Sequence, residues 1–248
     1  MTEGAAQAAP IIFLPEADST NLEARRLAEA GEIGPLWIAT RRQTAGRGRR
    51  GRSWSSGQGN LAATLLNVTD KPPAEAAQVS FVAALAVADL AEAFAPGAEA
   101  RLKWPNDLLL GGRKAAGILV ESGARDDGRL WLAVGIGVNL AQSPKGLDQP
   151  TAAFSDFATP PTPQAALDLL AERFAAWERT WRDFGFAPIA SAWTALAYGL
   201  GQACEAHIGA ETVTGTAEAL EPDGALRLSL WDGQVRRITA GDVVFGTA

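Results

Sequence analysis

The sequence predicts an α+β fold in which a larger domain with a mixed β-sheet is followed by a small β-barrel. In the first 200 residues, short apolar strands and helical segments follow one another without the strict alternation of a doubly wound parallel sheet. After Gly201 the pattern changes to short strands separated by hairpin-turn signals. A chain of 248 residues has room for one large and one small domain. We therefore expect a flexible tail over residues 1–10, a larger domain over 11–200 and the barrel over 201–248.

The first hundred residues are predicted to hold three strands and two helices. Strands are expected over residues 11–14, 36–40 and 61–68. The first helix should open at Asp18-Ser19-Thr20-Asn21, where Thr20 and Glu23 have the spacing of a capping box. The second should be a long, alanine-rich helix over residues 74–94, ended by Pro96-Gly97.

The rest of the chain is predicted to contain hairpins, two helices and the barrel strands. Strands are expected over 101–104, 107–110, 114–121 and 130–140, with Gly111-Gly112 as a hairpin turn. Residues 164–183 carry large apolar side chains at helical spacing, which we assign to core packing, and a short helix follows over 188–198. The barrel strands are expected over 204–208, 211–220, 225–231 and 234–245.

Composition narrows the class of protein. Hydrophobic residues make up 47% and charged residues 20%, as in ordinary globular proteins, and we find no apolar run near the ~18 residues of a membrane span. The first ten residues lack the features of a secretory signal. Cys204 is the single cysteine, which excludes an intrachain disulfide and is compatible with the cytoplasm. His207 is the single histidine, so a histidine-cluster zinc site is excluded, and we expect His207 to be structural.

An arginine-rich loop interrupts this acidic sequence. The net charge is −6, yet residues 41–52 contain six arginines and no acid. Gly46, Gly48 and Gly51 lie between these arginines and would let backbone N–H groups converge on an anion. The loop therefore indicates a phosphate or carboxylate site, although a basic run is often only a solvated face. Its G-x-G-x-x-G pattern does not indicate a dinucleotide fold, because no helical pattern follows it.

Two further motifs are candidates for chemistry. Asn106 and Asp107 follow Lys103-Trp104-Pro105, and the Gly-Gly hairpin should bring Lys114 close to them. This predicts an Asp/Lys pair in a cleft, against the alternative of an ordinary Asx turn. Gly135 and Gly137 lie in an apolar strand, where they indicate either close approach of a ligand or tight strand packing. The sequence leaves these two readings open.

Taken together, these stretches resemble the biotin–protein ligase family. Order and spacing both fit over about residues 11–248. The matching segments are Asp18-Ser19-Thr20-Asn21, Gln43 with residues 46–54, Lys103-Trp104-Pro105-Asn106-Asp107, residues 113–121 and Gly135-Ile136-Gly137-Val138-Asn139. Thr44 and Ser53 fall at positions that vary in the family.

The resemblance implies a fold and a reaction. The fold would be a mixed-sheet α+β catalytic domain of the biotin/lipoate ligase type, followed by an SH3-like β-barrel. The enzyme would convert biotin and ATP, with Mg²⁺ held mainly by ATP, to biotinyl-5′-AMP and pyrophosphate. Biotin would then pass to a lysine of the biotin carboxyl carrier domain of acetyl-CoA carboxylase or a related carboxylase. The cytoplasm is the expected compartment, and a homodimer is compatible with the sequence.

The resemblance also implies roles for individual residues. The catalytic set would be Lys114, Arg47, Arg49 and Asp107. The biotin site would comprise Ser19, Thr20, Asn21, Gln43, Arg47, Gly48, Arg49, Lys114 and Gly117. The nucleotide site would comprise Arg49, Trp54, Asn106, Asp107, Lys114 and Asn139. No residue is expected to hold a metal, and residues 47–49 should form a loop that closes over biotin and the adenylate.

Three other functions are alternatives to a biotin–protein ligase. A lipoate–protein ligase is the nearest enzyme alternative, but the Gly-Arg-Gly-Arg loop favours biotin. A nucleic-acid-binding protein using residues 41–52 is disfavoured by the acidic remainder and the lack of interleaved aromatic residues. A pure binding module is a third alternative. Only 17 residues precede Asp18, too few for the helix-turn-helix domain of bifunctional family members, so we expect a monofunctional ligase that does not bind DNA.

Overall fold

A computed structural model describes residues 9–147 and 149–246, so residues 1–8 of the predicted tail lie outside the described part. The larger part is built on a seven-stranded mixed sheet of order β1-β2-β3-β7-β6-β5-β4. Its strands are β1 (Ile11–Leu14), β2 (Leu36–Thr40), β3 (Leu61–Thr69), β4 (Arg101–Lys103), β5 (Asp107–Leu110), β6 (Arg113–Ala124) and β7 (Leu130–Val138). β1 and β2 are parallel, and the other neighbours are antiparallel.

Helices cover both faces of this sheet. They are α1 (Thr20–Glu29), α2 (Pro73–Ala76), α3 (Val79–Phe94), α4 (Pro163–Phe184) and α5 (Phe186–Ala195). On one face, Ala24 and Ala28 of α1 pack in a small apolar cluster with Ile38 and Leu66. On the other face, α3 is buried along most of its length and packs with α4 and α5 in the main core. On the face of the sheet that carries α1, the surface in front of the N-terminus of α1 is not covered by a helix of the described residues. The candidate functional site lies there.

The C-terminal part is a five-stranded antiparallel sheet of order β11-β10-β9-β8-β12. Its strands are β8 (Ala203–Ile208), β9 (Glu211–Leu220), β10 (Leu226–Ser229), β11 (Val235–Ile238) and β12 (Asp242–Phe245). It packs closely on the larger part: the indole Nε1 of Trp104 donates to the Gly224 carbonyl oxygen at 3.0 Å in a buried contact. One hydrophobic cluster contains Leu226 and Val243 of this sheet together with Val82 of α3.

Several predicted elements differ in detail. The predicted capping box at Thr20 and Glu23 does not form, because the helix begins at Thr20, its cap is Ser19, and Glu23 pairs with Arg26. The predicted helix over 74–94 is divided into α2 and α3. The strand expected over 234–245 is two strands, β11 and β12, separated at residues 239–241.

Glu75, Asp89 and Glu92 divide the most apolar helical segment, so no uninterrupted apolar run approaches ~18 residues. Within the described residues, the segment Pro73–Phe94 is nevertheless long and apolar enough to cross a membrane by length and composition alone. Most of the segment is buried in the main core. The core helix of a folded domain has this same composition, so the segment is weak evidence for a membrane.

Candidate active site

A cavity of about 670 Å³ lies in front of the N-terminus of α1. It is bounded by the start of α1, the arginine-rich loop, strands β6 and β7, Pro144, Leu147, Gln149 and Thr151, and one residue of the C-terminal sheet. Twelve of the thirteen predicted site residues line it: Ser19, Thr20, Asn21, Gln43, Arg47, Gly48, Arg49, Trp54, Asn106, Lys114, Gly117 and Asn139. The thirteenth, Asp107, contacts this group through Lys114. The fold therefore gathers residues that are far apart in the sequence.

One end of the cavity is lined by uncharged polar side chains at the start of α1. Ser19, Thr20 and Asn21 are almost completely buried where α1 meets the sheet. The Asn21 amide Nδ2 donates to the Leu119 carbonyl at 3.2 Å and to Glu121 Oε2 at 2.8 Å. Because both hydrogen bonds fix the amide plane, this end presents its polar atoms in one orientation, as recognition of a neutral polar group requires.

Gln43 completes the polar end. Its Oε1 accepts from the backbone N–H of Thr20 at 3.0 Å, and its Nε2 donates to Ser56 Oγ at 2.9 Å. The backbone N–H can only donate, so the Gln43 amide has one orientation. This hydrogen bond ties the first turn of α1 to the base of the arginine-rich loop.

The other end of the cavity is cationic. Lys114 Nζ lies 2.7 Å from Asp107 Oδ1, and the two side chains are only 15% and 13% exposed. The predicted Asp/Lys pair is confirmed: in the hairpin of β5 and β6, Lys114 pairs with Leu109, two residues from Asp107, and its side chain reaches the Asp107 carboxylate. Lys103 also lines this end, although no sequence pattern predicted a role for its side chain. Burial, together with the nearby positive charge of Lys114, lowers the pKa of Lys103.

The indole of Trp54 lies across the centre of the sheet, between the two ends. Gly117 of β6 and Gly137 of β7 are cross-strand neighbours beneath it. A Cβ at Gly137 would come within 2.3 Å of the Trp54 ring, and one at Gly117 within 3.1 Å. Lys114 Nζ lies 5.8 Å from the ring centroid. A side chain at position 137 would collide with the Trp54 ring, so this position needs a glycine. The sequence offered approach of a ligand or strand packing as reasons for the strand glycines, and cover by an indole was not among them.

Gly135, the other strand glycine, also makes room for a side chain. A Cβ at Gly135 would lie 2.0 Å from Oδ1 of Asn21. The glycine lets the buried amide of Asn21 rest directly on the sheet backbone. Both strand glycines thus make room for side chains that line the cavity, and both also line the cavity themselves.

The arginine-rich loop folds back on itself above the cavity. The backbone N–H of Trp54 donates to the Gly46 carbonyl at 2.9 Å, and that of Gly48 donates to the Arg52 carbonyl at 2.7 Å. A Cβ at Gly46 would lie 2.3 Å from the Trp54 carbonyl oxygen, so glycine is required where the two arms meet. The loop is thus a short closed hairpin that carries Arg47 and Arg49 to the cavity.

Asp242 of the C-terminal sheet binds this loop, a contact that the sequence did not predict. Its carboxylate lies 3.5 Å from Arg49, 3.4 Å from Arg50 and 3.0 Å from Arg52. Arg49 also donates to the Asn106 side chain at 3.1 Å and to the Gly241 carbonyl at 2.9 Å. Burial lowers the pKa of Arg49 from its usual value. One carboxylate among three guanidinium groups leaves a net positive surface over the cavity, suited to an oxyanion.

Further lining residues were not predicted as site residues. Arg52, Ser53, Ile118 and Leu119 lie inside segments that match the family, but nothing there sets them apart from their neighbours. Others lie outside those segments, where no local pattern singles them out: Ser55, Pro144, Leu147, Gln149, Thr151 and Val244 of β12. Pro150 and Thr151 lie beside Lys114, whose backbone N–H donates to the Pro150 carbonyl at 2.9 Å.

Asn139 lies at the back of the cavity and is almost completely buried. Its Nδ2 donates to the Ala152 carbonyl at 3.1 Å. Its Oδ1 has no hydrogen-bond partner within residues 9–147 and 149–246. A buried amide oxygen in this state is an acceptor that a bound ligand can satisfy.

Across residues 9–147 and 149–246, no three His, Cys, Asp or Glu side chains come together in a group that could hold a metal ion. Among these residues, Asp107 has the carboxylate nearest to Lys114 Nζ and is paired with it. Mg²⁺ can bind with fewer protein ligands than three, because it commonly keeps oxygen ligands from a bound phosphate and water.

Comparison with known proteins identifies the family. Residues 17–139 match the biotin/lipoate A/B protein ligase family, and residues 199–246 match the biotin protein ligase C-terminal domain. The chain is 44% identical over 246 residues to a biotin--[acetyl-CoA-carboxylase] ligase of Paracoccus denitrificans, covering 94% of this chain and 100% of the relative. It is 31% identical to the bifunctional ligase/repressor BirA of Bacillus subtilis, covering 95% of this chain and 74% of the relative. The structure of a biotin protein ligase from Aquifex aeolicus in complex with biotin and ATP superposes with a TM-score of 0.79 at 25% identity, covering 96% of this chain and 99% of that one. The chain therefore belongs to the biotin–protein ligase family.

Proposed function

We propose that this ligase activates biotin with ATP and transfers it to a lysine of a biotin carboxyl carrier domain. The observation that carries the proposal is the division of a single cavity into an end lined by the uncharged polar side chains of α1 and Gln43 and a cationic end at Lys114. Biotin has the same division, with a ureido ring at one end and a carboxylate at the other. Ser19, Thr20, Asn21 and Gln43 would bind the ureido ring, and Lys114 would meet the carboxylate.

The first step forms a mixed anhydride. A carboxylate oxygen of biotin attacks the α-phosphorus of ATP, and the bond from that phosphorus to the bridging oxygen of pyrophosphate breaks. Two anions must approach each other, and negative charge moves onto the leaving group. Lys114 and Arg49 would offset the repulsion and stabilise the developing charge, because fixed cations in a shielded site are effective electrostatic catalysts. Asp107 acts as a positioning residue, since its carboxylate holds Lys114 Nζ.

The second step consumes the anhydride. The ε-amine of the carrier lysine attacks the acyl carbon, the acyl–phosphate bond breaks and AMP leaves. The amine must lose one proton on forming the amide. Water would destroy the same intermediate, so the site must exclude it. Arg47, Gly48 and Arg49 would form the cover that does so, supported from the C-terminal sheet by Asp242.

The nucleotide would occupy the region between Trp54, Asn106 and Asn139. The unpartnered, buried Oδ1 of Asn139 supports this, because an exocyclic amine could donate to it. Asn106 holds Arg49 at 3.1 Å and would place that guanidinium near the phosphates. Mg²⁺ would arrive bound to ATP. Within the described residues, the chain's own carboxylates do not form a cage for Mg²⁺, and we assign no step to a metal held by the protein.

ATP–pyrophosphate exchange tests the proposal. We expect exchange that depends on biotin and does not occur with lipoate or without an acid. Exchange supported by lipoate would mean that the chain is a lipoate ligase, and exchange in neither case would overturn the proposed activation step. Mass spectrometry of a biotin carboxyl carrier domain incubated with the chain, ATP and Mg²⁺ should then show one added biotin.

We also propose the cytoplasm as the compartment, where ATP and carboxylases meet, and no DNA partner. Arg49, Arg50 and Arg52 of the basic loop are engaged by Asp242, and the chain carries a net charge of −6. Arg47, Arg49 and Arg52 of this loop line the cavity, where biotin and ATP would cover them, so they are not free for the phosphates of DNA. A gel-shift titration with promoter DNA, biotin and ATP at physiological salt should show no sequence-specific complex.

A further inference from the structure

A hydroxyl buried under the polar end of the cavity has no role so far. Thr64 lies on β3, is fully buried, and pairs across the sheet with Gly135. Its Oγ1 lies 2.8 Å from Thr20 Oγ1 and 2.7 Å from Asn21 Oδ1. Thr64 therefore contacts two side chains that line the cavity while its own side chain lies behind them.

The hydrogen-bond chemistry fixes the direction of these contacts. The Leu119 carbonyl can only accept, so the side of Asn21 that faces it must be the NH₂ group. The opposite atom of Asn21 is then the carbonyl Oδ1, which must receive the proton of Thr64. A hydroxyl has one proton. Thr64 has then no proton left for Thr20, and the 2.8 Å contact between the two hydroxyls requires Thr20 to donate.

The direction of these hydrogen bonds determines what the Thr20 hydroxyl presents to the cavity. Once Thr20 donates its only proton to Thr64, its hydroxyl oxygen offers only lone pairs to the cavity that it lines. The second neighbour of that oxygen, Gln43 Oε1 at 3.3 Å, is also an acceptor, so a proton directed there would leave the same lone pairs for the cavity. The contact with Thr64 is shorter, at 2.8 Å, and is therefore the better hydrogen bond. Thr20 is thus held as a hydrogen-bond acceptor, and an acceptor recognises an N–H group.

We infer that Thr64 is a positioning residue for substrate specificity: its hydroxyl orients Thr20 as an acceptor for an N–H of the substrate's ring. The inference rests on the proposed function, in which that ring is the ureido ring of biotin. It gives a reason for the expected discrimination against lipoate, whose dithiolane ring has no N–H. A site built around a polar contact rejects analogues that cannot make it more strongly than one that relies on shape.

The variants Thr64→Val and Thr64→Ser test this inference. Valine has the shape of threonine without the hydroxyl, and serine keeps the hydroxyl as a matched control. In biotin-dependent ATP–pyrophosphate exchange, we expect Thr64→Val to raise KM for biotin about three- to tenfold, as loss of one neutral hydrogen bond would. The kcat should stay within about twofold because Thr64 is remote from the reacting carboxylate. Thr64→Ser should restore KM.

A second comparison separates this role from general damage to the site. The probe is biotin methylated on one or the other ureido nitrogen, and each isomer is assayed beside biotin. Wild-type chain should discriminate against the isomer that lacks the N–H facing Thr20, and Thr64→Val should lose several-fold of this preference. Thermal unfolding of each variant checks that it is folded, and Thr64→Ala, which removes the same hydroxyl, replaces the valine variant if that one does not fold.

The outcomes are distinct. An unchanged KM in Thr64→Val, or the same loss for biotin and both methylated isomers, would overturn the inference and leave the proposed function intact. Failure of Thr64→Ser to restore KM would also overturn it, because the hydroxyl would then not be the group that matters. Absence of biotin-dependent exchange in the wild-type chain would overturn the proposed function and this inference with it.

Discussion

Replacing Lys114 with alanine should slow adenylate formation by roughly thirty- to a thousandfold. Removal of a single well-placed electrostatic donor from an active site costs about 2–4 kcal/mol of transition-state stabilisation, which corresponds to this range in rate. Lys114 has the geometry of such a donor, since its side chain lines the cavity and Asp107 holds its Nζ at 2.7 Å. The reaction needs a fixed cation at this point because the biotin carboxylate and the α-phosphate repel each other.

The same change should destabilise the fold. Breaking a buried ion pair by removing one partner costs about 3–5 kcal/mol when the remaining charge has no other counterion. Arg49 and Lys103 also act electrostatically with Asp107, so we expect a smaller loss, about 2–3 kcal/mol. For a chain of this size, this lowers Tm by roughly 4–12 °C.

The assay is ATP–pyrophosphate exchange at saturating biotin and ATP, at a temperature well below the Tm of the variant. Lys71→Ala is the matched control, because Lys71 lies outside the cavity beside Glu75 and Trp181, and its exchange rate should stay near that of the wild type. In the double variant Lys114→Ala/Asp107→Asn, the neutral amide removes the unpaired charge, so Tm should recover while activity does not. Exchange near the wild-type rate in a folded Lys114→Ala variant would refute the role assigned to Lys114.

Three further changes probe the loop and the sheet beneath it. Asp242→Ala leaves the guanidinium groups of the arginine-rich loop without their carboxylate. Trypsin should therefore cleave this loop several-fold faster than in the control variant Asp232→Ala. Equal cleavage rates would show that Asp242 does not hold the loop. Arg49→Gly should release biotinyl-AMP from the site. Streptavidin should then detect more biotin on an unrelated bystander protein than after incubation with the wild type. Equal labelling would count against Arg49 as part of the cover over the cavity. Gly137→Ala places a methyl group 2.3 Å from the Trp54 ring, so the indole must move; we expect KM for biotin or ATP to rise at least tenfold, and unchanged kinetics would mean that the position of Trp54 is not important.

Local interactions made much of this site predictable. The hairpin of β5 and β6 follows from a Gly-Gly turn between two apolar strands, and it fixes the contact of Lys114 with Asp107 before any tertiary packing is considered. The polar start of α1 was predictable as a helix start from its own residues, and as a site only through the family resemblance. The motif at the arginine-rich loop indicated an anion site through its own composition.

The parts that escaped prediction depend on long-range packing. Asp242 approaches Arg52 across a sequence separation of 190 residues, and no pattern around Asp242 marks it as different from other exposed acids of the barrel. Thr64 reads in the sequence as an ordinary β-branched residue of a buried strand. Its role follows from two side chains of α1 that lie on it in the folded chain. The division of residues 74–94 into two helices also depends on packing, since that segment contains no internal breaker after Pro73.

The shared hydrophobic cluster has a consequence for how the molecule unfolds. Leu226 and Val243 of the C-terminal sheet pack in the same core as Val82 of α3, and Trp104 donates a buried hydrogen bond to Gly224. Neither part can open without exposing apolar surface of the other, so the free energies of opening the two parts are coupled. Heating should therefore give one cooperative transition, with calorimetric and van't Hoff enthalpies that agree. Two separated transitions would show that the C-terminal sheet, which carries Asp242, unfolds independently. The cover over the cavity would then be lost well below the temperature at which the larger part unfolds.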